Sequence, residues 1–412
     1  MTLGAVTSSA VMGLVSVDTI REARRLLESV VRKTPMEHAR DLEPPQGGPV
    51  YLKCENLQRT GSFKIRGAYT RIHGLSDEER SRGVVAASAG NHAQGVALAA
   101  ALLGTKATVY MPERAPLPKL AATRGYGADV HLHGESLEEA LAEATAFAER
   151  TGAVFIHPFD HPDIIAGQGT VGLEILEQVP DVATVLVATG GGGLVGGVAS
   201  AVKAVKPDVR VVGVQAEGAA AFPLSLSAGN PMRLETTQTM ADGIAVGAPG
   251  PITFEHVRAL VDDVVTVSEE SLSRAVLLCL ERRKLVVEPA GAAAVAALLE
   301  HPEVFEPPVV AVLSGGNVDP LLLLQIIQHG MTAAGRYLSL RLRVPDRPGS
   351  LAGLLSRVGE LGANVLDVVH SRISGRLAMG EVEIALKLET RGPEHCADVA
   401  AQLQRAGYRV LV

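Results

Sequence analysis

The chain has few cysteines, no excess of basic residues and no long apolar run. Its three cysteines, Cys54, Cys279 and Cys396, are odd in number and far apart, so they predict neither a disulfide framework nor a metal site. A net charge of −7, with basic residues spread among acidic ones, argues against a nucleic-acid partner.

No segment offers the roughly 18 consecutive apolar residues that a membrane helix needs, so no membrane partner is expected. Residues 1–17 make a poor signal peptide, because no Lys or Arg precedes their apolar stretch. We therefore expect a cytoplasmic protein, since few cysteines fit a reducing compartment. Residues 1–17 are expected to be disordered.

The length of 412 residues predicts two or three domains. Up to about Ser314, short β-branched runs alternate with helical patterns, which predicts an α/β region of βαβ units. The runs lack polar alternation, so the sheet should be covered on both faces. The strand candidates are Val84–Ala87, Ala107–Met111, Thr184–Ala188, Val209–Val214 and Val309–Leu313, and the helix candidates include Asn91–Leu103, Leu137–Arg150 and Ser268–Lys284.

After Gly330 the pattern changes. Apolar and polar residues alternate strictly in Tyr337–Val344, as in a sheet with one solvated face. A helix at Pro348–Leu361, strands at Asn364–His370 and Ala378–Leu388, a helix at Pro393–Arg405 and a strand at Tyr408–Val412 complete the pattern. The order βαββαβ predicts a ferredoxin-like domain, with its boundary near Ala333 to Arg336.

A first segment that can carry chemistry surrounds Lys64. It lies between a predicted strand, Val50–Lys53, and a helix that Ser62 is predicted to cap. A lysine one turn inside such a helix can reach a cleft, where burial lowers its pKa and makes it nucleophilic. Most lysines are solvated, so the pattern alone favours an ordinary surface residue.

A second segment, Ser88 to Gly95, follows the predicted strand Val84–Ala87 and opens a helix. Free backbone N–H groups at such a helix start bind a carboxylate well. A turn and helix cap without a ligand is an equally good interpretation. His92 alone is more typical of a structural hydrogen bond than of an acid or base.

Four consecutive glycines, Gly190 to Gly193, follow another predicted buried strand and precede a helix. Their backbone can wrap a phosphate with its own N–H groups. A purely structural loop is disfavoured, because four glycines cost considerable folding entropy.

The same loop also has the spacing of a dinucleotide-binding turn. Gly191, Gly193 and Gly196 fit G-x-G-x-x-G, and Glu217 supplies an acidic residue after the next strand. A dehydrogenase is therefore an alternative, although it leaves Lys64 without a role.

A last segment, Ser314 to Asn317, begins at the C-terminal end of a buried strand, where open α/β sheets bind ligands. A tight turn without a ligand is the alternative.

Together these segments resemble the threonine dehydratases (threonine ammonia-lyases), which are fold type II pyridoxal-phosphate enzymes related to the tryptophan synthase β chain. The resemblance covers about Thr19 to Met331, through ENLQRTGSFKIRGA, SAGNHAQG, HPFDHPDIIAGQGTVGLEI, GGGGLVGG, EPAGA and SGGN in matching order. It implies a two-lobed catalytic region over residues 18–332, with a smaller lobe at about 53–155 inserted in the larger one.

The resemblance also implies site residues. Lys64 would hold pyridoxal 5′-phosphate as a Schiff base. Phe63 would pack beside the ring, Asn91 would bond the ring hydroxyl, Gly190, Gly191, Gly192, Gly193 and Leu194 would hold the phosphate, and Ser314 would contact the pyridine nitrogen. The substrate carboxylate would bind at Ser88, Ala89, Gly90, Asn91 and His92. No metal is expected.

The implied reaction is deamination of L-threonine to 2-oxobutanoate and ammonia by β-elimination of water, with L-serine giving pyruvate, as in the first step of isoleucine biosynthesis. A serine-preferring dehydratase or racemase is an alternative. Serine racemases carry a second serine where this chain has Ala89, and bind a divalent cation through a Glu and an Asp six residues apart. Here Glu217 is followed at that distance by Pro223, which argues against racemisation.

The segment Pro345–Leu351 (PDRPGSL) looks like an ACT domain, which implies a regulatory module at residues 337–412 that binds isoleucine or valine. Gly349 and Asn364 are its candidate ligand contacts. The family also implies a homotetramer or dimer. A non-catalytic amino-acid sensor is the alternative from another functional class, disfavoured because Lys64, Asn91 and Ser314 are intact.

Overall fold

The structure is a computed structural model that describes residues 13–372 and 378–411. Two compact units divide between Asp319 and Pro320. The boundary predicted near Ala333 to Arg336 lies one helix later than this division. The helix Pro320–Ala333 belongs with the C-terminal unit because it packs against that unit's first strand.

Strands and helices alternate along the first unit. The strands are β1 (Met36–His38), β2 (Val50–Lys53), β3 (Val84–Ala87), β4 (Ala107–Met111), β5 (Asp129–Leu132), β6 (Val154–Phe155), β7 (Thr184–Ala188), β8 (Arg210–Ala216), β9 (Asp263–Val267) and β10 (Val309–Val312). The helices are α1 (Val17–Leu27), α2 (Lys64–His73), α3 (Asp77–Arg82), α4 (Asn91–Leu102), α5 (Leu117–Gly125), α6 (Leu137–Thr151), α7 (Pro162–Gln178), α8 (Gly193–Val205), α9 (Ala221–Ala228), α10 (Pro251–Leu260), α11 (Glu269–Leu278) and α12 (Pro289–Glu300).

These strands form two sheets. The larger sheet has the order β1-β2-β10-β7-β8-β9 and is parallel except for β1. The smaller sheet, β5-β4-β3-β6, is entirely parallel and is formed by the chain between β2 and β7. Every residue of β3, β4, β7 and β10 is buried, as predicted for strands covered on both faces.

The predicted bounds of β3, β4 and β7 are confirmed residue for residue, and those of β8 and β10 differ by one or two residues at an end. The helix predicted at Ser268–Lys284 differs more. Ser268 caps it alone through the N–H of Ser271, but α11 ends at Leu278 and a π-helical turn, Cys279–Arg283, follows. A period of 3.6 residues cannot reveal such a turn.

Residues 15–17, in the segment expected to be disordered, are ordered. Residues 1–12 of the segment expected to be disordered lie outside the described part. Val15, however, is buried and donates its N–H to His256 Nε2 at 2.8 Å, and Ser16 caps α1. Burial of this apolar side chain and the helix cap order the segment.

The second unit contains α13 (Pro320–Ala333), β11 (Tyr337–Pro345), α14 (Ser350–Glu360), β12 (Asn364–Ser371), β13 (Glu381–Glu389), α15 (Pro393–Arg405) and β14 (Arg409–Leu411). From β11 onward the order is the predicted βαββαβ. The sheet is antiparallel in the order β12-β13-β11-β14. Alternate residues Leu340, Leu342 and Val344 face the core, as their spacing predicts. Val412 of the last predicted strand lies outside the described residues.

No helix in the described ranges is both long and apolar enough to cross a bilayer.

Candidate active site

Three of the predicted segments lie at the C-terminal ends of parallel strands. Ser88 follows β3, Thr189 and the four glycines follow β7, and Leu313 and Ser314 follow β10. β7 and β10 are neighbours in the larger sheet, so their loops share one edge. This edge is where open α/β sheets bind ligands.

The glycine loop packs closely against its surroundings. Gly192 adopts a left-handed φ of +94° as the N-cap of α8. A Cβ at Gly191 would lie 2.4 Å from the Phe159 ring, and one at Gly192 would lie 2.7 Å from Phe222. Within the described part of the chain, no group accepts a hydrogen bond from the N–H of Gly190, Gly191, Gly192 or Gly193. These N–H groups at a helix start form a site for an anion such as a phosphate.

Leu194 contributes differently from its glycine neighbours. Its side chain is buried in the core around the larger sheet. Only its backbone, in the first turn of α8, is placed to take part in binding at the loop.

Lys64 is the first residue of α2. Its Nζ donates to the carbonyl oxygen of Pro158 at 2.9 Å and lies 5.2 Å from the centroid of the Phe63 ring. Burial lowers the pKa of Lys64 to about 8, and the charge of Glu288 opposes this shift. A substantial fraction of the amine is therefore uncharged near neutral pH and nucleophilic.

The predicted cap of α2 is wrong. Phe63 is the N-cap and makes no side-chain capping bond, while the hydroxyl of Ser62 is buried without a partner among the described residues. The segment is instead fixed by the turn after β10. Phe63 donates its N–H to Ser314 O at 3.2 Å, and Ser62 pairs with Gly315 in an isolated β-bridge. Backbone pairing therefore brings the lysine segment and the Ser314 segment together.

A set of four buried charges anchors α2 from the other end of its first turn. Arg66 makes two bonds of 2.8 Å to Glu55 and one of 2.7 Å to Glu174, and Lys53 donates to Glu174 at 2.6 Å. Burial alone would raise the pKa of Glu55, but the charge and hydrogen bonds of Arg66 bring it below its usual value. We call Lys53, Glu55, Arg66 and Glu174 the buried quartet.

Glycines let α7 approach α2 closely. A Cβ at Gly167 of α7 would lie 2.6 Å from Arg66 O and from Gly67 Cα. Contact between the two helix backbones and the buried quartet together fix the position of α2, which carries Lys64.

Asn91 begins α4 and lies between two residues of the larger lobe. Its Nδ2 donates to Glu288 Oε1 at 2.5 Å, and its Oδ1 accepts from Asn317 Nδ2 at 2.7 Å. Glu288 is the N-cap of α12 and is buried. Burial raises the pKa of Glu288 to about 7, and the charge of Asp242 adds to the shift.

The loop before α4 is open at one position. A Cβ at Gly90 would meet no atom within 4 Å, while Ser88 Oγ accepts the Gly90 N–H at 3.1 Å. Ala89 is partly exposed.

The side chain of His92 points away from the open side of this loop. Its Nε2 is hydrogen-bonded to Ile156 O at 2.8 Å inside the core, and burial lowers the pKa of His92 to about 3. The expectation that His92 contacts the substrate therefore holds for its backbone N–H at most.

Ser314 is buried at the end of β10. Its Oγ donates to Ala290 O at 3.4 Å, a long bond that a better acceptor can replace. A neutral hydroxyl here can donate a hydrogen bond to an uncharged acceptor of a ligand.

Residues 27–315 match the family described as pyridoxal-phosphate dependent enzyme. The chain belongs to this family. It is 49% identical over 399 residues to an L-threonine ammonia-lyase of Thermotoga maritima, a match that covers 97% of this chain and 100% of the relative.

Two solved structures resemble this pyridoxal-phosphate-dependent enzyme. A threonine deaminase from T.th. is 43% identical with a TM-score of 0.70, over 74% of this chain and 99% of that one. The maize serine racemase is 38% identical with a TM-score of 0.73, over 78% of this chain and 99% of that one. The first unit thus has the fold type II architecture, and the dinucleotide interpretation of the glycine loop falls away.

The residues of this pyridoxal-phosphate-dependent enzyme fit its cofactor on three observations. The glycine loop offers unpaired N–H groups for a phosphate, Lys64 offers an amine of lowered pKa for the aldehyde, and Ser314 offers a hydroxyl for the ring nitrogen. Glu288 and Asn317 were not predicted as site residues from the sequence. Both lie in quoted motifs, EPAGA and SGGN, so a signal for them was present.

An ion pair between the lobes was not predicted either. Lys119 of α5, which is largely buried, pairs with Asp242 of the larger lobe. The charge of Lys119 lowers the pKa of Glu288 and so opposes the effect of Asp242. No motif marked either residue.

Proposed function

We propose that this chain is a threonine ammonia-lyase, which converts L-threonine to 2-oxobutanoate and ammonia by β-elimination of water. The observation that carries the proposal is the match to the Thermotoga L-threonine ammonia-lyase along its whole length. The site supports it, because three groups occur together at the edge of a parallel sheet. They are the amine of Lys64, a glycine loop that can bind an anion and the neutral hydroxyl of Ser314.

We assign the cofactor contacts as follows. Lys64 forms the covalent link to pyridoxal phosphate, Phe63 packs beside the ring, Asn91 bonds the ring hydroxyl, Ser314 meets the ring nitrogen, and Gly190, Gly191, Gly192, Gly193 and Leu194 hold the phosphate. When bound, the cofactor draws electrons from the substrate Cα and makes its proton acidic. The protein supplies binding, orientation and proton transfer.

The proton transfers are assigned to Lys64. Once the substrate amine has replaced Lys64 on the cofactor, the free Lys64 amine removes the Cα proton. The lowered pKa of Lys64 suits a base near neutral pH. The electron pair of the broken C–H bond forms the Cα–Cβ double bond, and the Cβ–O bond breaks. Protonation of the leaving hydroxyl by Lys64 releases water. Attack by the neutral Lys64 amine would then take back the cofactor and free aminocrotonate. Aminocrotonate tautomerises to an imine, which water hydrolyses to 2-oxobutanoate and ammonia.

The loop from Ser88 to His92 is assigned to the substrate carboxylate. Backbone N–H groups at the start of α4 attract an anion, and the open space at Gly90 gives it room. His92 takes part through its backbone alone.

L-Serine is the second substrate that we propose, giving pyruvate. A serine racemase is the alternative, favoured by the likeness to the maize enzyme. The methyl side chain of Ala89 has no proton to give, so elimination should dominate. Chiral chromatography of L-serine reaction mixtures tests this assignment, and comparable amounts of D-serine and pyruvate would overturn it.

The second unit is proposed to be an ACT-like regulatory domain that binds isoleucine or valine, in a cytoplasmic homotetramer or dimer that begins isoleucine biosynthesis. Its βαββαβ order supports this proposal. Gly349 adopts a left-handed φ of +89° as the N-cap of α14, with open space at its Cβ position. Asn364 starts β12, where its amide lies 3.4 Å from Glu389.

Regulation can be tested with Asn364→Ala, which should weaken the response to isoleucine and valine. Asn364 is exposed, so its loss should not disturb the fold. Coupling of about 1 to 3 kcal/mol would change the apparent affinity for threonine roughly 5- to 150-fold. Steady-state kinetics with and without isoleucine and valine measure it. A full-length protein that responds to neither amino acid would overturn the assignment.

The function itself is tested by an absorption spectrum together with rates on L-threonine. A visible band and release of 2-oxobutanoate are expected. Absence of the band would overturn the cofactor contacts and the proposed reaction and would favour the amino-acid sensor. A visible band without turnover of L-threonine would overturn the reaction alone.

A further inference from the structure

A chain of hydrogen bonds fixes the direction of the Asn91 side-chain amide. Asn317 Nδ2 donates to Thr60 O at 2.6 Å and to Asn91 Oδ1 at 2.7 Å. A carbonyl oxygen only accepts, so the group facing Thr60 must be the nitrogen of Asn317. The oxygen of Asn91 must then face Asn317, and its nitrogen faces Glu288.

This arrangement leaves one N–H bond of Asn91 over. The nitrogen of an amide carries two hydrogens, and Glu288 Oε1 accepts one of them. The opposite orientation of the amide would set Asn91 Nδ2 against Asn317 Nδ2, with two donors in contact, and Asn91 Oδ1 against the ionised form of Glu288, with two acceptors in contact. Glu288 and Asn317 thus both favour the same orientation.

The chain of hydrogen bonds starts at a backbone segment with positive φ angles. Thr60 has φ +63° and ψ +11°, a left-handed conformation that is a genuine outlier for a β-branched residue. Gly61 follows with φ +70°, and a Cβ there would lie 2.4 Å from Asn317 Oδ1. Two successive positive φ angles direct the Thr60 carbonyl to Asn317 and leave room for its amide.

The other end of this chain of hydrogen bonds, at Glu288, is also tightly packed. The N–H of Glu288 donates to Gly315 O at 3.1 Å, and a Cβ at Gly315 would lie 2.1 Å from Glu288 Oε1. Charged groups around this carboxyl are Asp242, Lys119 and Lys64. The turn after β10 therefore holds both Glu288 and Asn317 in place around Asn91 of the smaller lobe.

We propose that Asn317 and Glu288 are positioning residues that present one N–H of Asn91 to the ring hydroxyl oxygen of pyridoxal phosphate. The inference rests on the proposed function, which assigns the ring hydroxyl to Asn91. A ring oxygen that carries negative charge accepts from an N–H and is repelled by an amide oxygen, so the direction of this amide affects cofactor binding.

A comparison of two cofactor forms tests the proposal. Apo-protein is titrated with pyridoxal 5′-phosphate and with 3-deoxypyridoxal 5′-phosphate, which keeps the aldehyde and lacks the ring hydroxyl. Because both probes form the same covalent link, the ratio of their Kd values isolates the contact to the ring hydroxyl.

Asn317→Ala and Glu288→Ala are expected to weaken binding of pyridoxal phosphate about tenfold, the size of one lost hydrogen bond. Neither should weaken binding of the 3-deoxy form comparably. Glu288→Gln keeps an acceptor oxygen and should restore most of the affinity. Asn230→Ala is the matched control, since Asn230 is exposed and its side-chain amide donates to the nearby Ala228 O.

Equal loss of affinity for both probes would show a merely structural role, and no loss for either would remove the role altogether. Either result overturns the proposal. Thermal unfolding of each variant confirms that it is folded, and the Glu288→Gln and Glu288→Ala pair decides the matter should Asn317→Ala not fold. Failure of the proposed function is distinguishable, because wild-type protein would then fail to release 2-oxobutanoate.

Discussion

Two sets of buried ionisable groups near α2 differ in the groups that they contact. In the buried quartet each charge contacts an opposite charge at 2.8 Å or less. Lys64 and Glu288 instead contact neutral groups, the carbonyl of Pro158 and the amide of Asn91. In the first set Arg66 holds the pKa of Glu55 below its usual value, although burial still lowers the pKa of Lys53. In the second set burial brings the pKa of Lys64 to about 8 and that of Glu288 to about 7.

The difference shows what separates a structural charge from a reactive one in this molecule. Contact with an opposite charge offsets the cost of burial, as Arg66 does for Glu55. Burial without such a contact moves the pKa towards neutrality, where a group can give or take a proton. Four substitutions or titrations can break or sharpen this contrast.

The largest effect is expected from removal of the reactive amine. Lys64→Ala should lower kcat on L-threonine by about 10² to 10⁴, the usual contribution of a positioned base. Borohydride reduction and peptide mapping of wild-type protein should place the cofactor on Lys64. Lys33→Ala, at an exposed lysine paired with Glu177, is the control. Label on another lysine would contradict the assignment.

Breaking the buried quartet should act on stability. Arg66→Met leaves the carboxylate of Glu55 buried without its ion pair and leaves Glu174 with Lys53 alone, which should cost about 3 to 5 kcal/mol in urea unfolding. Arg21→Met removes an exposed pair with Asp18 and should cost under about 1 kcal/mol. Equal costs for the two variants would show that burial of the quartet is unimportant.

Glu288→Gln should remove a dependence of stability on pH. Burial raises the folded-state pKa of Glu288 to about 7 from an ordinary 4.5, so its contribution is fully present below about pH 4.5 and is lost as pH rises through 7. Apo-protein should lose up to about 3 kcal/mol relative to the variant between pH 4.5 and 8, since one pKa unit is about 1.4 kcal/mol. Unfolding free energies that run parallel over this range would refute the shift.

The smallest effect concerns the titration of Lys64. Attachment of pyridoxal phosphate needs the uncharged amine, and the lowered pKa of about 8 predicts a rate that levels off above that pH. The rise between pH 7 and 9 should be about tenfold. Stopped-flow absorption on apo-protein measures it. A rate that climbs steadily to pH 10 would indicate an ordinary lysine.

The sequence predicted regular structure well where the pattern is local. Buried strands such as β3 and β7 are unbroken apolar runs between turn residues, and their bounds followed directly. Alternation in β11 gave the half-exposed sheet of the second unit. The cap by Ser62 failed for the opposite reason, since the backbone there pairs with Gly315, a partner distant in the chain.

Within the site, the sequence by itself determined which residues could act: a lysine at the start of an α-helix, four glycines after a strand and a serine at a strand end. It could do so because the backbone conformations of turns and helix starts depend on neighbouring residues. Only the tertiary structure decided how they act. Asn91 meets Glu288 and Asn317 across 197 and 226 positions of the chain. The pKa of Lys64 likewise depends on burial, which a local pattern does not contain, because burial is produced by packing of segments that are far apart in the sequence.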